Sequence, residues 1–141
     1  MFNIAALAVA KTAALHIKDA AGEPAYADAE RTKPIRIHVH GPGSPAFAAV
    51  EGRQTARALK RMNDNEGKVT AATPDERRLE TAEDLAAVTH SVENFTYGDG
   101  SLSGEELYRA LYADPALGFI TKQVAKGVAD WGNFKPGSVS I

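Results

Sequence analysis

The sequence predicts an α+β fold in which an N-terminal antiparallel β-hairpin packs on about four α-helices. In 12-TAALHIK-18 and in 35-IRIHVH-40, apolar and polar residues alternate, which is the period of strands with one buried face. After the turn 41-GPG-43, the apolar residues recur at helical spacing and follow recognisable helix starts. Strands followed by a run of helices are typical of the α+β class.

Length and composition set the outer limits of fold and function. With 141 residues the chain fits one domain, divided here into a hairpin region (1–43), a helical region (44–134) and a tail (135–141). The absence of cysteine excludes disulfides and cysteine-based zinc sites. A net charge of −2 is not the basic excess of a general nucleic-acid binder, and the opening apolar run is too short to span a bilayer. We therefore expect neither nucleic acid nor a membrane as a partner.

The two alternating segments are expected to form a long hairpin across the polar linker 19–34. An isolated hairpin is marginal in water, so this one must pack on helices or pair with another copy of the chain. The residues predicted to face inward are Leu15, Ile17, Ile35, Ile37 and Val39.

Two helix starts follow the hairpin. Ser44 is a good N-cap with Pro45 at the first helical position, and this helix should end before the turn 63-NDNEG-67. The second start, 73-TPDE-76, is a capping box with proline at the first position. We expect the second helix to continue through Val92 until the region around Tyr97 and Gly98 breaks it. The residues at helical spacing are Leu79, Ala82, Leu85, Ala86, Val88, Thr89 and Val92.

The stretch 99-DGSLSGEELYRAL-111 has two interpretations. It begins like an EF-hand loop, but Ala110 stands where the bidentate glutamate of a calcium site is required. The capping signature is complete, with Ser103 as N-cap and Glu106 three residues later. We therefore predict the start of a third helix and no calcium binding.

The fourth helix is predicted from Pro115 to Trp131, with Asp114 as its cap and Gly132 at its end. Its regular apolar seam is of the kind that packs on another helix, either inside the core or on a partner. The candidate partner-binding residues are Leu117, Phe119, Ile120, Val124, Val128, Trp131 and Phe134.

Two groups of side chains are candidates for ligand chemistry. His16, His38 and His40 would share the polar face of the hairpin and could hold zinc or nickel, although no fourth ligand is evident and a solvated face explains them as well. The basic cluster Arg53, Arg57, Lys60 and Arg61 could bind phosphate or form a solvated helix face. No arrangement of a nucleophile with a base is recognisable. We expect no catalytic residues and no cofactor.

The chain resembles the tail assembly chaperones of long-tailed bacteriophages and prophages. The similarity runs in order through 11-KTAALHIKDAAGEPAY-26, 34-PIRIHVHGPGSPAF-47, the helix ending in ALKRM, 94-NFTYGDG-100 and the block 108-YRALYADPALGFITKQVAKGVADWGNF-134. The individual motifs are mostly turns and core positions, so the ordered set is what carries the resemblance.

The resemblance implies a non-enzymatic protein that coats the apolar tape-measure protein and helps to recruit tail-tube subunits during tail assembly. It implies a place in the bacterial host cytoplasm, absence from the mature virion and possible self-association. Two alternatives stay open. A phage structural or head–tail connector protein also suits a small α+β domain with a long hairpin, and a metal- or phosphate-binding enzyme would use the candidate ligands above.

Overall fold

The computed structural model describes residues 1–66 and 72–136, and in these it shows a three-stranded antiparallel sheet and four α-helices. The strands are β1 (Thr12–His16), β2 (Arg36–His40) and β3 (Thr89–Glu93), with β2 in the centre. The helices are α1 (Pro45–Asp64), α2 (Pro74–Ala87), α3 (Gly104–Ala113) and α4 (Gly118–Ala129). The α+β prediction is confirmed.

The register of the predicted hairpin is confirmed. Leu15 pairs with Ile37 across β1 and β2, and the alternation places Ile17, Ile37 and Val39 in the core with exposures of 2% or less. Leu15 and Ile35 are half-buried against the same core. The linker between the strands is tied together by two further bridges, one of which joins Lys18 to Pro24.

The prediction that the second helix continues to Val92 is wrong, because α2 ends at Ala87 and the chain enters β3 at Thr89. β-Branched residues favour strands, and the hydroxyl of Thr89 donates to the carbonyl of Leu85 at 2.8 Å. The N–H of His40 in turn donates to the carbonyl of Val88 at 2.7 Å, which joins the turn to β2. The sheet therefore extends beyond the hairpin region 1–43 and takes its third strand from the middle of the predicted helical region.

The core lies between the inner face of the sheet and helices α2, α3 and α4. Val124 of α4 is fully buried there, and Tyr112 of α3 is 2% exposed. The Tyr112 hydroxyl hydrogen-bonds the Thr89 hydroxyl at 2.7 Å, which links α3 to β3. Burial raises the pKa of Tyr112 well above its usual value, so the phenol is neutral in the folded protein.

Helix α1 contributes little to the apolar core. Ion pairs between its arginines and carboxylates of α2 attach it to the domain. Ser44 caps it as predicted, since its Oγ accepts the N–H of Phe47 at 3.2 Å. Of its residues, Val50 alone is buried. Most of the remaining surface of this 20-residue helix faces solvent.

Of the two predicted capping boxes, the one at Thr73 forms its N-cap bond, and its glutamate bonds the Thr73 hydroxyl and not the Thr73 N–H. The Thr73 hydroxyl accepts the N–H of Glu76 at 3.2 Å and lies 3.0 Å from the Glu76 carboxylate. The box at Ser103 is wrong, because that side chain makes no capping hydrogen bond. The next residue, Gly104, has φ of +58°, which lies outside the right-handed conformation expected of the first helical residue after an N-cap.

We expect Thr73→Ala to lower the free energy of unfolding by about 1 kcal/mol, because it removes a formed N-cap. Ser103→Ala should change it by no more than about 0.5 kcal/mol, since an exposed hydroxyl without a capping bond is removed. Urea unfolding of both variants beside the wild type measures the difference. Equal losses for the two variants would contradict the caps described here.

The range predicted as a fourth helix, Pro115 to Trp131, is divided among three elements. A 3₁₀ turn at Pro115–Leu117 precedes α4, and a second at Trp131–Asn133 follows it. Asp114 is the cap as predicted, because its Oδ1 accepts the N–H of Ala116 at 2.9 Å. None of the helices in the described ranges combines the length and hydropathy that crossing a membrane requires.

Candidate functional site

The residues of the α4 seam divide between core and surface. Val124 and Val128 are buried at 0% and 5% exposure, so they hold the domain together and do not present a partner surface. Leu117, Phe119 and Ile120 are half-buried. The seam is therefore largely core, which is one of the two alternatives that the sequence left open.

Phe134 was expected to contact a partner, and this is wrong because the side chain is fully buried. Its ring covers the backbone of Gly41 so closely that a Cβ at Gly41 would lie 2.5 Å from two ring carbons. Its carbonyl accepts the N–H of Ala10 at 2.9 Å. The segment around Phe134 thus covers the core at the turn after β2.

Trp131 is the one candidate of the α4 block that lies mainly in solvent, at 58% exposure. Cζ3 of its ring lies 3.9 Å from the position that a Cβ at Gly43 would take, and Cγ2 of Val9 lies 3.0 Å from the same position. The N-terminal segment therefore leaves the core beside Trp131.

The first seven residues carry further exposed apolar side chains. Phe2, Ile4 and Leu7 are 68%, 72% and 61% exposed, around a 3₁₀ turn at Ile4–Leu7 that Asn3 caps. The sequence of residues 2–9 fits either a helical turn or a strand. Its apolar character was visible, but nothing in the pattern indicated that the side chains point into solvent. We use the name terminal apolar surface for these three side chains and Trp131, because Val9, two residues after Leu7, and Trp131 both lie near Gly43.

A small apolar cavity lies on another side of the molecule. It has a volume of about 190 Å³ and lies between the sheet, the segment before α3 and the start of α4. Ile35, Phe95, Leu117 and Ile120 are among its walls. At its rim, Tyr97 donates its hydroxyl to Asp114 at 2.8 Å, and this bond raises the pKa of the tyrosine.

The three candidate histidines share the outer face of the sheet, as predicted, but each has a separate environment. His16 Nε2 lies 2.9 Å from the carbonyl of Ala25. His38 was expected in solvent and is instead 4% exposed, with Nε2 3.2 Å from Glu93 Oε1 but without hydrogen-bond geometry.

His40 packs edge-on against His90, with ring centroids 5.3 Å apart. Partial burial and, secondarily, the neighbouring His90 lower the pKa of His40. In residues 1–66 and 72–136, no three His, Asp or Glu side chains are grouped closely enough to hold a metal ion. This finding includes the stretch from Asp99 to Ala110. In that stretch, Asp99 accepts the N–H of Ser101 at 2.9 Å.

Most side chains of the basic cluster on α1 form ion pairs with carboxylates of α2. Arg57 donates to both oxygens of Asp84 at 3.1 Å, and Arg53 reaches the same carboxylate at 3.3 Å. Arg61 pairs with Glu80. These arginines join two helices, so neither a solvated face nor a phosphate site describes them fully.

The carboxylate at the centre of these pairs is buried. Burial alone would raise the pKa of Asp84, but the hydrogen bonds from Arg57 and Gln54 and the charges of Arg57 and Arg53 outweigh it and lower the pKa. The same carboxylate raises the pKa of Arg57. Each partner therefore favours the charged form of the other.

Comparison with known proteins returned no relative. No protein-family model, no curated protein and no solved structure matches the chain.

Proposed function

We propose that this protein is a non-enzymatic tail assembly chaperone of a long-tailed phage or prophage. It binds the tape-measure protein and helps to recruit tail-tube subunits as the tail is built. The observation that carries the proposal is the ordered set of sequence blocks from Lys11 to Phe134 that resembles these chaperones. The protein acts in the bacterial host cytoplasm and leaves before the virion is complete.

The terminal apolar surface supports this proposal. A chaperone that holds an apolar client must offer apolar side chains to it before the client arrives, and Phe2, Ile4, Leu7 and Trp131 are all more than half exposed. Aromatic residues dominate the binding energy of protein interfaces. Trp131 is therefore the principal contact residue in this proposal, and it replaces the buried Phe134.

Co-expression with the tape-measure protein of the same genome tests the proposal. We expect wild type to keep the tape-measure protein in the soluble fraction, and Trp131→Ser to leave at least half of it in the pellet. Because Trp131 lies mainly in solvent, the variant should fold normally. Far-UV circular dichroism of the purified variant checks this.

Leu79→Ser is the matched control, because Leu79 on α2 is 56% exposed and lies outside the terminal apolar surface. It should solubilise the client as well as wild type does. Equal solubilisation by Trp131→Ser and Leu79→Ser would show that Trp131 does not bind the client. Recovery of the protein in purified virions would favour a structural or connector role over a chaperone.

A further inference from the structure

Within residues 1–66 and 72–136, nothing pairs with the middle of the outer edge of β1. Hydrogen bonds from Ile17 N–H to the Ile35 carbonyl at 2.9 Å, and from Gly41 N–H to the Lys11 carbonyl at 2.8 Å, show that odd-numbered residues of β1 face β2. In an antiparallel pair the peptide groups of alternate residues point to opposite sides. The N–H and carbonyl groups of Ala14 and His16 therefore point away from β2.

Groups of the protein itself close both ends of this edge. At one end, the N–H of Ala10 donates to the carbonyl of Phe134 at 2.9 Å. At the other, the side-chain amide of Gln123 accepts the N–H of Lys18 at 2.8 Å and donates to its carbonyl at 2.7 Å. Gln123 thus bonds Lys18 as the peptide group of a neighbouring strand would.

Between these two closures lies a groove of about 400 Å³, with β1 on one side and α4 on the other. Helix α4 lies close to the strand here, because a Cβ at Gly127 would be 2.5 Å from Leu15 Cδ1. An added strand would find up to four backbone hydrogen-bonding groups on Ala14 and His16 and a helix beneath its inward side chains. We propose that an extended, acidic segment of a partner protein binds here as a fourth strand of the sheet.

The charge of the groove selects an acidic segment. Lys11 and Lys18 stand at the two ends of β1, and Lys126 of α4 lines the groove between them. Within the described part of the chain, none of these three lysines forms an ion pair. Among the described residues that line the groove, Asp130 alone is acidic, and its Oδ1 accepts the N–H of Gly132 at 2.9 Å.

The same lysines argue against a second copy of this chain as the occupant. Two β1 edges paired antiparallel about Ala14 would place Lys11 of each copy opposite Ile17 of the other and Lys18 opposite Ala10, so that all four lysines would lie along the shared edge. Lysines at sheet edges are a common device against pairing of identical edges. The inference does not depend on the tail-assembly proposal, because the partner is defined by its chemistry alone.

Amide hydrogen exchange and NMR titration test the proposal with a defined probe. The probe is a capped seven-residue peptide in which valine and glutamate alternate, and the comparison peptide has lysine in place of glutamate. In the free protein, the Ala14 and His16 amides should exchange at least tenfold faster than those of Ala13 and Leu15. The acidic peptide should slow the Ala14 and His16 amides at least tenfold, and the basic peptide should bind at least tenfold more weakly.

Lys126→Glu should weaken binding of the acidic peptide at least threefold. Lys122→Glu, the same change one turn earlier on α4 and outside the groove, should leave binding unchanged within twofold. Three results would overturn the proposal. These are equal binding of the two peptides, equal effects of the two variants, and protection of Ala14 that rises with protein concentration in the absence of peptide, which would identify a second copy as the occupant.

Discussion

Phe134→Ala is expected to lower the free energy of unfolding by about 3–5 kcal/mol, the usual cost of truncating a buried phenylalanine. The ring is fully buried and covers Gly41, so its removal leaves a cavity above the turn that links β2 to α1. Gly41→Ala should be destabilising for the complementary reason, because its Cβ would meet the ring at 2.5 Å. The two substitutions test opposite sides of one contact.

Chemical denaturation of both variants gives the measurement, and Trp131→Ala is the control. Trp131 is only three residues from Phe134 and is the larger side chain, but it is 58% exposed, so its truncation should cost no more than about 1 kcal/mol. An unfolding free energy of Phe134→Ala within about 1 kcal/mol of wild type would mean that the C-terminal block does not pack as described.

Asp84→Ala should lower the free energy of unfolding by about 2–3 kcal/mol. The carboxylate is 7% exposed and receives hydrogen bonds from Arg53, Gln54 and Arg57. Breaking a fully buried ion pair costs about 3–5 kcal/mol, and the partial exposure of the arginines reduces that cost here. The substitution acts on the attachment of α1 to α2.

This contribution depends on pH in a defined direction. The pKa of Asp84 is lowered in the folded protein, so the unfolded state binds the proton more tightly and protonation favours unfolding. The stabilisation is fully present above the unfolded pKa, about 4, and is lost as the pH falls through the folded value. The difference between wild type and Asp84→Ala should therefore shrink in acid.

Unfolding midpoints at pH 7 and pH 3 measure both effects, with Glu83→Ala as control because Glu83 is the exposed neighbour of Asp84. Glu83→Ala should change stability by no more than about 0.5 kcal/mol at either pH. A difference between Asp84→Ala and wild type that is the same at both pH values would rule out the ionised carboxylate as its cause.

The parts of the fold that local pattern determines could be predicted from the sequence. The alternation in β1 and β2 fixed which residues face inward, because a shift of one residue would expose Ile37 and Val39 together. The caps at Ser44, Thr73 and Asp114 were also predictable, since each depends on residues within one turn.

Features that depend on distant residues could not be predicted. The residues from Leu79 to Val92 fit a helix by spacing, and only pairing with β2 and the bond from Tyr112 to Thr89 make the last four of them part of a strand. His38 alternates like a solvated residue but is buried within the completed sheet. The left-handed φ of Gly104, next to the cap that does not form at Ser103, could not be predicted either.

The candidate site shows the same division. An apolar seam on a helix was visible in the sequence, but which of its residues are core depends on the neighbours of α4. Helix α4 approaches β1 closely at Gly127, and the segment around Phe134 approaches Gly41. These contacts accompany the burial of Val124, Val128 and Phe134, whereas Trp131 remains exposed. The open edge of β1 is a property of the sheet order, which no local pattern specifies.

The central proposal, that this protein holds a tape-measure protein in solution, is tested most directly by sedimentation of purified components. The tape-measure protein of the same genome is diluted from denaturant into buffer with and without the wild-type protein. The proposal predicts a soluble complex containing both chains, and a pellet of tape-measure protein when wild type is replaced by Trp131→Ser. Sedimentation of the tape-measure protein to the same extent with and without wild type would contradict it.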